Sequence, residues 1–234
     1  MSEKKVIGII GGMGPLATAD LFEKIIHNTK ANCDQAHLRV SIDSNTNIPD
    51  RTAALLHGGD DPTEELVKSA KRLESIGAEV LIMPCNTAHN FYEPIAANVG
   101  IPVLHMIALT RDALKSRGVK RAALLATDGT IQTGIYQRTF EGSGIELLTP
   151  EGDAQKAVMG VIYDGVKADA HPDAYRRDMN MVLSGLTQRG ADYFILGCTE
   201  LPLAAELLGL TVPMIDPTTE LARAAIRFCG YTLK

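Results

Sequence analysis

The stretch LESIGAEVLIMPC at residues 73–85 is matched by LTQRGADYFILGC at residues 186–198. In both copies Gly–Ala and an acidic residue precede a short apolar run, and a cysteine follows eight residues after the glycine. An apolar run of this length, bounded by a glycine, is typical of a buried β-strand. The repeat therefore predicts two strands that deliver Cys85 and Cys198 to equivalent strand ends.

The matching extends outward from these two strands. Residues 101–104 (IPVL) correspond to residues 212–215 (VPMI), and Gly14 in an early glycine turn falls opposite Gly129. Three landmarks in the same order indicate an internal duplication. We expect two similar halves.

Short apolar runs alternate with amphipathic stretches along the whole chain. Strands are predicted at residues 6–10, 38–42, 80–83, 102–104, 122–125, 145–148, 193–196 and 212–215, and helical stretches include residues 63–76 and 154–167. This alternation predicts an α/β fold of parallel sheets with crossover helices. We predict two similar domains, residues 1–104 with 216–234 and residues 105–215, related by a pseudo-two-fold with the active site in the cleft between them.

Composition narrows the functional class. The chain has 234 residues, 45% of them hydrophobic, and a formal net charge of −5 without a basic run, which argues against nucleic-acid binding. No apolar run is long enough for a signal peptide or a membrane span, so a cytoplasmic protein is predicted. The four cysteines are widely spaced, without the CxxC pairs typical of zinc sites.

Polar residues follow each strand-end cysteine at once. Asn86 and Thr87 come after Cys85, and Thr199 comes after Cys198. Asn and Thr are common helix N-caps, and a thiol that faces a helix N-terminus gains stabilisation of its thiolate. Ligands of open α/β sheets also bind at the carboxyl ends of strands. The alternative is that each cysteine is an inert core residue.

A matched pair of thiols on opposite walls of a cleft suits one type of reaction. Inversion at a carbon requires a base on one face and an acid on the other. A thiolate and a thiol can fill these roles and exchange them when the reaction reverses. The pair therefore favours a functional role for both cysteines.

On these motifs the chain resembles the cofactor-independent aspartate/glutamate racemase superfamily, and within it the aspartate racemases most closely. The resemblance covers essentially the whole chain through GGMGPLAT (11–18), IPDRT (48–52), MPCNTAH (83–89), LLATDGT (124–130) and GCTE (197–200). It implies an aspartate racemase, with glutamate or other amino acids as further substrates. It also implies a homodimer that uses neither pyridoxal phosphate nor another cofactor.

The resemblance implies Cys85 and Cys198 as the catalytic residues, one removing the α-proton and the other returning a proton to the opposite face. It places contacts to the α-carboxylate at Asn86, Thr87, Thr130 and Thr199, and recognition of the substrate side chain at Asp50, Arg51 and Lys167. Backbone N–H groups near the cysteines are candidate donors to the developing negative charge.

From the residues alone, some of these positions have simpler explanations. Arg51 is also explained as a first-turn arginine behind an Asp50 N-cap, and Lys167 as a last-turn lysine that complements a helix dipole. Glutamate racemases typically carry Asp-Ser in the first glycine turn and a histidine two residues after the second cysteine. This chain has Gly11-Gly12 and Glu200 at those positions, which favours the aspartate branch.

The glycine turn GIIGGMGPLA (8–17) has the outline of a dinucleotide fingerprint, with Asp43 near the place of a ribose-binding acid. However, Pro15 removes an N–H that a pyrophosphate would use. A dehydrogenase also leaves the two cysteine motifs unexplained. We therefore predict that Met13 and Gly14 line a pocket for a small substrate.

Three other functions are also compatible with these motifs. A cis–trans isomerase of dicarboxylates would also use two facing cysteines, one of which adds covalently to the substrate. A Cys/His amidase would pair Cys85 with His89, four residues further along the chain, although His89 is also explained as a surface or capping residue. A non-catalytic amino-acid-binding protein of the same fold would bind aspartate without proton exchange.

Overall fold

The computed structural model describes residues 5–168 and 172–234. The chain divides into two compact units, one formed by the residues up to Leu109 together with Thr218–Lys234, the other by Thr110–Pro217. Residues 1–4 and 169–171 of the predicted domains lie outside the described residues. Each unit contains a parallel sheet with helices, as the alternating sequence pattern predicts.

The first unit contains a parallel sheet in the order β2-β1-β3. Its strands are β1 (Val6–Gly11), β2 (Arg39–Ser44) and β3 (Val80–Ile82). In the central strand β1 every residue is buried, and Ile9 pairs with both Ile42 and Ile82. A continuous apolar run at the centre of a parallel sheet follows from burial on both of its faces.

The strand predicted at residues 102–104 is reduced to a single bridge between Val103 and Leu81. Leu81 N donates to the carbonyl of Pro102 at 2.8 Å, and Leu104 N donates back to Leu81 at 2.9 Å. Because Pro102 has no N–H to donate, the pairing cannot extend to its amino-terminal side. The prediction of a full strand at this position is wrong.

The second unit repeats this topology. Its parallel sheet has the order β5-β4-β6-β7, with β4 (Arg121–Leu125), β5 (Glu146–Leu148), β6 (Tyr193–Leu196) and β7 (Met214–Ile215). In each sheet the first strand of the unit thus lies between the second and the third, and β7 extends the second sheet beyond β6. The two copies of the repeated sequence, ending at Cys85 and Cys198, supply β3 and β6.

The α-helices, in chain order, are α1 (Pro15–Asn28), α2 (Arg51–Leu56), α3 (Thr63–Ser75), α4 (Tyr92–Ala96), α5 (Met106–Ser116), α6 (Asp128–Gln132), α7 (Ile135–Phe140), α8 (Asp153–Gly160), α9 (Arg176–Gln188), α10 (Leu201–Leu207) and α11 (Pro217–Phe228). Further helical turns are the 3-10 helices Asp34–Ala36, Thr87–Phe91 and Pro172–Tyr175, and the π-helix Val161–Lys167. In the described ranges none of these helices combines the length and the apolar composition needed to cross a bilayer.

Two predicted helical stretches have different outcomes. Helix α3 buries Leu66, Ser69, Ala70 and Leu73, the i, i+3, i+4, i+7 stripe of an amphipathic helix. The stretch at 154–167 instead consists of α8 followed by a π-helical segment that ends at Lys167. A π-helix has a wider hydrogen-bonding pattern than an α-helix, and the amphipathic spacing did not reveal the change.

The first unit has an apolar cluster on each face of its sheet, and β1 contributes residues to both. Ile7 and Ile9 of β1 pack into one apolar cluster, whereas Ile10 packs into another, which also contains Met13 and Cys85. Successive residues of a strand point to opposite faces, so one strand serves both clusters. The turn after β1 and the cysteine after β3 therefore contribute to the same cluster at the carboxyl end of the sheet.

Candidate active site

Cys85 lies just beyond the end of β3 and is buried, with 8% of its surface exposed. It packs in the same cluster as Met13, so the fold brings one residue of the predicted substrate-lining turn to the first cysteine. Asn86 and Thr87, which follow it, are also buried. The residues predicted around Cys85 thus form a compact group within the first unit.

The predicted capping role of Asn86 is wrong. Asn86 precedes the 3-10 helix Thr87–Phe91 but makes no capping hydrogen bond with its side chain. Its backbone is already helical, with φ −59° and ψ −51°, whereas a capping side chain requires an extended residue.

His89 binds the backbone of Cys85. Its Nδ1 lies 2.8 Å from the Cys85 carbonyl oxygen, and its Nε2 accepts from Met106 N–H at 3.1 Å. Since a backbone N–H can only donate, the ring is neutral and carries its proton on Nδ1. Burial lowers the pKa of His89 to about 3, with the neighbouring His105 as a smaller cause. His89 is therefore buried rather than on the surface, and its ring nitrogens are both engaged by the backbone.

Arg51 starts α2, and its guanidinium is held by backbone carbonyls. Nη1 donates to Pro49 O at 2.8 Å, and Nη2 reaches Met13 O at 3.5 Å. Asp50 caps this helix, its Oδ1 accepting from Ala53 N at 2.7 Å, as one explanation of the sequence predicted.

Arg51 also carries an unused hydrogen-bond donor. Its Nε is buried without a hydrogen-bond partner, and no acidic side chain among the described residues forms an ion pair with the guanidinium. A buried unpaired donor on a fixed cation is costly, and an anionic ligand relieves this cost. Arg51 therefore presents a positive charge next to the Met13 turn.

Cys198 follows β6 in the second unit, and its thiol is hydrogen-bonded. Sγ donates to Oε2 of Glu200 at 2.9 Å, and the same oxygen accepts from the hydroxyl of Thr199 at 3.1 Å. Lys167 Nζ lies 3.7 Å from the other carboxylate oxygen of Glu200 and 4.5 Å from the centre of the Tyr163 ring. Lys167 and Thr199, which are both predicted site residues, thus contact Glu200, and Glu200 in turn binds the Cys198 thiol.

The pKa of Cys198 is raised well above its usual value. The main cause is desolvation, because protein atoms surround the sulfur although the residue keeps part of its surface exposed; the next is the negative charge of Glu200, which Lys167 partly offsets. The backbone N–H of Glu200, at the start of α10, lowers the pKa of Cys198 as expected of a helix N-terminus, but the other causes outweigh it. The hydrogen bond to Glu200, its negative charge and desolvation together favour the thiol over the thiolate.

Thr130 lies at the same edge of the second sheet. Thr127 follows β4 and caps α6, accepting from Thr130 N at 3.3 Å, and the two hydroxyl oxygens lie 3.2 Å apart. Strand β4 pairs directly with β6, with Leu125 opposite Leu196. Thr130 and Cys198 therefore both follow the carboxyl ends of neighbouring strands.

The glycine turn after β1 is shaped by packing. Gly12 has φ +92°, and a Cβ on it would lie 2.4 Å from the carbonyl carbon of Asn45. Its N–H donates to Thr18 Oγ1 at 3.0 Å, so this amide is engaged within the turn. Asp43, the candidate ribose-binding acid, binds Arg72 at 2.9 Å. The Gly12 N–H and the Asp43 carboxylate, which a bound dinucleotide would use, thus both have partners inside the protein.

Three residues that interact with Cys198 or with its neighbour Lys167 are not predicted as site residues. Glu200 was noted only as a departure from the glutamate racemase pattern, although a polar residue so close to a strand-end cysteine was a usable signal. Tyr163 and the fully buried Tyr136 carried no such signal. The pKa of Tyr136 is raised by burial and then by the charges of Asp216 and Cys198. Within the described ranges no cluster of His, Cys, Asp and Glu could hold a metal ion.

Comparison with known proteins supplies the family context. The family model of Asp/Glu/hydantoin racemases matches residues 10–225. The chain is 26% identical to the broad-specificity amino-acid racemase RacX of Bacillus subtilis (strain 168), over 94% of this chain and 96% of that protein.

Two solved structures extend the similarity to the fold. The Picrophilus torridus aspartate racemase is 34% identical, with a TM-score of 0.86 over 98% of this chain and 96% of its own. An aspartate racemase homologue from Pyrococcus horikoshii OT3 is 25% identical, with a TM-score of 0.80 over 97% of this chain and 100% of its own.

Proposed function

We propose a substrate class and a mechanism for this chain, which belongs to the Asp/Glu/hydantoin racemase family and is an amino-acid racemase. Its substrate is aspartate, and the reaction interconverts the L and D isomers through two cysteines without a cofactor. The observation that carries this proposal is the equivalence of Cys85 and Cys198, which follow the corresponding strands β3 and β6 of two parallel sheets whose first three strands have the same order.

The mechanism uses one thiolate and one thiol on opposite faces of the α-carbon. The thiolate takes the α-proton, so the C–H bond breaks, an S–H bond forms, and the electron pair delocalises into the α-carboxylate. The second thiol then gives its proton to the other face, and its sulfur becomes the thiolate. Backbone N–H groups around Asn86, Thr87 and Thr199 stabilise the intermediate charge, and the Thr130 hydroxyl contributes to carboxylate binding.

The environment of Arg51 favours a substrate with an acidic side chain. Its guanidinium is already oriented by backbone carbonyls, and Nε is a buried donor without a partner. A carboxylate is the group that a planar guanidinium binds best, through two parallel hydrogen bonds. Met13 and Gly14 line the space beside Arg51. Asp50 contributes by capping the helix that begins at Arg51, and Lys167 adds positive charge on the side of Cys198.

The first test is α-proton exchange in deuterated buffer, with reduced thiols and no added cofactor. L-aspartate is compared with L-glutamate and with L-asparagine, which has nearly the size of aspartate but no side-chain charge. We expect loss of the α-proton signal and formation of D-aspartate, with asparagine much slower. Exchange that is absent with every substrate contradicts racemisation of this class. Asparagine as fast as aspartate contradicts recognition by Arg51 and favours a broad substrate range.

We further propose that the protein is a cytoplasmic homodimer. The homodimer is what the resemblance implies, and the cytoplasmic location is inferred from a sequence without a long apolar run. Sedimentation at micromolar concentration measures the oligomeric state directly. A dicarboxylate cis–trans isomerase, the alternative chemistry for two cysteines, would leave a covalent succinyl adduct on one of them, which mass spectrometry of the trapped enzyme would detect.

A further inference from the structure

Glu200 is the centre of the polar contacts around the second cysteine. One of its carboxylate oxygens accepts from two donors, the Cys198 thiol at 2.9 Å and the Thr199 hydroxyl at 3.1 Å. The other oxygen faces Lys167 at 3.7 Å. The thiol proton therefore points to a carboxylate, and a thiolate at this position would lie next to a negative charge.

The charged and titratable groups that interact with Cys198 come from three parts of the second unit. Glu200 precedes α10, Lys167 ends the π-helical segment, and Tyr136 lies in α7. The negative charge of Asp216, which follows β7, acts on the Tyr136 hydroxyl. The ammonium of Lys167 thus only partly offsets the carboxylate of Glu200, to which the thiol is hydrogen-bonded. This balance, together with desolvation, favours the neutral thiol over the thiolate.

We propose that Glu200 is a positioning residue that keeps the proton of Cys198 on sulfur in the free enzyme, so that Cys198 starts the reaction as the proton donor and Cys85 as the base. The inference rests on the two-cysteine function proposed above. In the first turnover the substrate α-proton forms an S–H bond on Cys85, and the carbanion takes the Cys198 proton. Cys198 is then a thiolate beside Glu200, and it regains a proton from solvent while Cys85 loses one.

The direct test measures the thiol without requiring racemisation. In a Cys33→Ala, Cys85→Ala background, the rate of alkylation of Cys198 by iodoacetamide is followed against pH, with the modified peptide identified by mass spectrometry. Glu200→Gln removes the charge and keeps the shape. We expect the alkylation midpoint to fall by about one pH unit or more, which is about tenfold faster modification at pH 8.

Two further variants separate this effect from a general change of charge or structure. Glu206→Gln removes the same charge from an exposed position in α10, and it is expected to leave the midpoint unchanged. Glu200→Asp keeps a carboxylate, so its alkylation midpoint is expected to lie close to that of the protein with Glu200. An unchanged midpoint in Glu200→Gln, or an equal shift in Glu206→Gln, overturns the proposal.

The assignment of acid and base is tested by the pH profile of racemisation with the full chain. The alkaline limb of kcat/KM reports the group that must hold its proton, and the acidic limb reports the base. We expect Glu200→Gln to move the alkaline limb to lower pH. Movement of the acidic limb alone, or of neither limb, overturns the assignment. If wild-type enzyme shows no racemisation but the alkylation midpoint shifts, the proposed function fails while the coupling of Glu200 to Cys198 stands.

Discussion

The Nδ1 atom of His89 lies 2.8 Å from the carbonyl oxygen of Cys85, and its other ring nitrogen accepts the N–H of Met106. One side chain thereby ties the turn that carries the first cysteine to the start of α5. The second unit uses a different arrangement, in which Glu200 binds the sulfur of Cys198 rather than its backbone. The two cysteines occupy equivalent strand ends but are held by different chemistry.

The buried His89 makes stability depend on pH. Its pKa is about 3 in the folded protein and 6.5 when unperturbed, so between these values the unfolded state binds one more proton. The stabilisation is complete above pH 6.5 and decreases as the pH falls towards 3, by about 1.4 kcal/mol per pH unit. Urea unfolding between pH 4 and pH 7 measures this slope.

His89→Gln removes the titrating group and keeps a donor and an acceptor. We expect its free energy of unfolding to fall less steeply with decreasing pH than that of the wild type. The two slopes are expected to differ by the uptake of about one proton on unfolding, which is about 1.4 kcal/mol per pH unit. His57→Gln, at an exposed position at the end of α2, is the matched control and is expected to follow the wild-type slope. Parallel slopes for wild type and His89→Gln would contradict a neutral His89.

Cys85→Ala and Cys198→Ala are each expected to abolish racemisation, with a loss of at least about 10³-fold, because both proton transfers require a thiol. Cys229→Ala removes another buried cysteine, in the core of the first unit, and is expected to retain activity. Chiral chromatography of the product measures the rate. Activity near the wild-type level in either of the first two variants would refute the two-cysteine mechanism.

Arg51→Gln is expected to lower kcat/KM for aspartate by about 100-fold, the effect of losing a bidentate charge-assisted pair. The loss with asparagine is expected to be much smaller, because that side chain carries no charge. Arg72→Gln serves as the control, since Arg72 is exposed and bound to Asp43. Equal losses for the two substrates would show that Arg51 acts on stability or on the α-carboxylate instead.

Gly12→Ala tests whether packing requires the glycine turn. Gly12 and Gly77 share φ +92°, but a Cβ would clash with the backbone of Asn45 only at Gly12, whereas nothing lies within 4 Å at Gly77. Gly77→Ala is expected to cost about 1–2 kcal/mol of unfolding free energy from the backbone conformation. Gly12→Ala is expected to cost about 1–3 kcal/mol more from overpacking. Similar costs in urea unfolding would contradict the clash.

Local patterns predicted much of the fold. The stripe of α3 and the apolar run of β1 depend on spacing along the chain, so the sequence reports them directly. The prediction at residues 102–104 failed because pairing was limited by a proline without an N–H. The amphipathic spacing also did not predict the change from α8 to a π-helix, because both helix types bury one face and differ only in hydrogen bonding.

The sequence by itself determined the alternation of strands and helices, the duplication and the position of Cys85 and Cys198 at equivalent strand ends, because these follow from local periodicity and repeated motifs. Only the tertiary structure decided which groups surround each cysteine. Lys167 and Glu200 are distant in the chain, and the packing of the second unit brings Lys167 to the carboxylate that binds the Cys198 thiol. The protonation of that thiol depends on desolvation and on charges within a few ångströms, and these exist only in the folded chain.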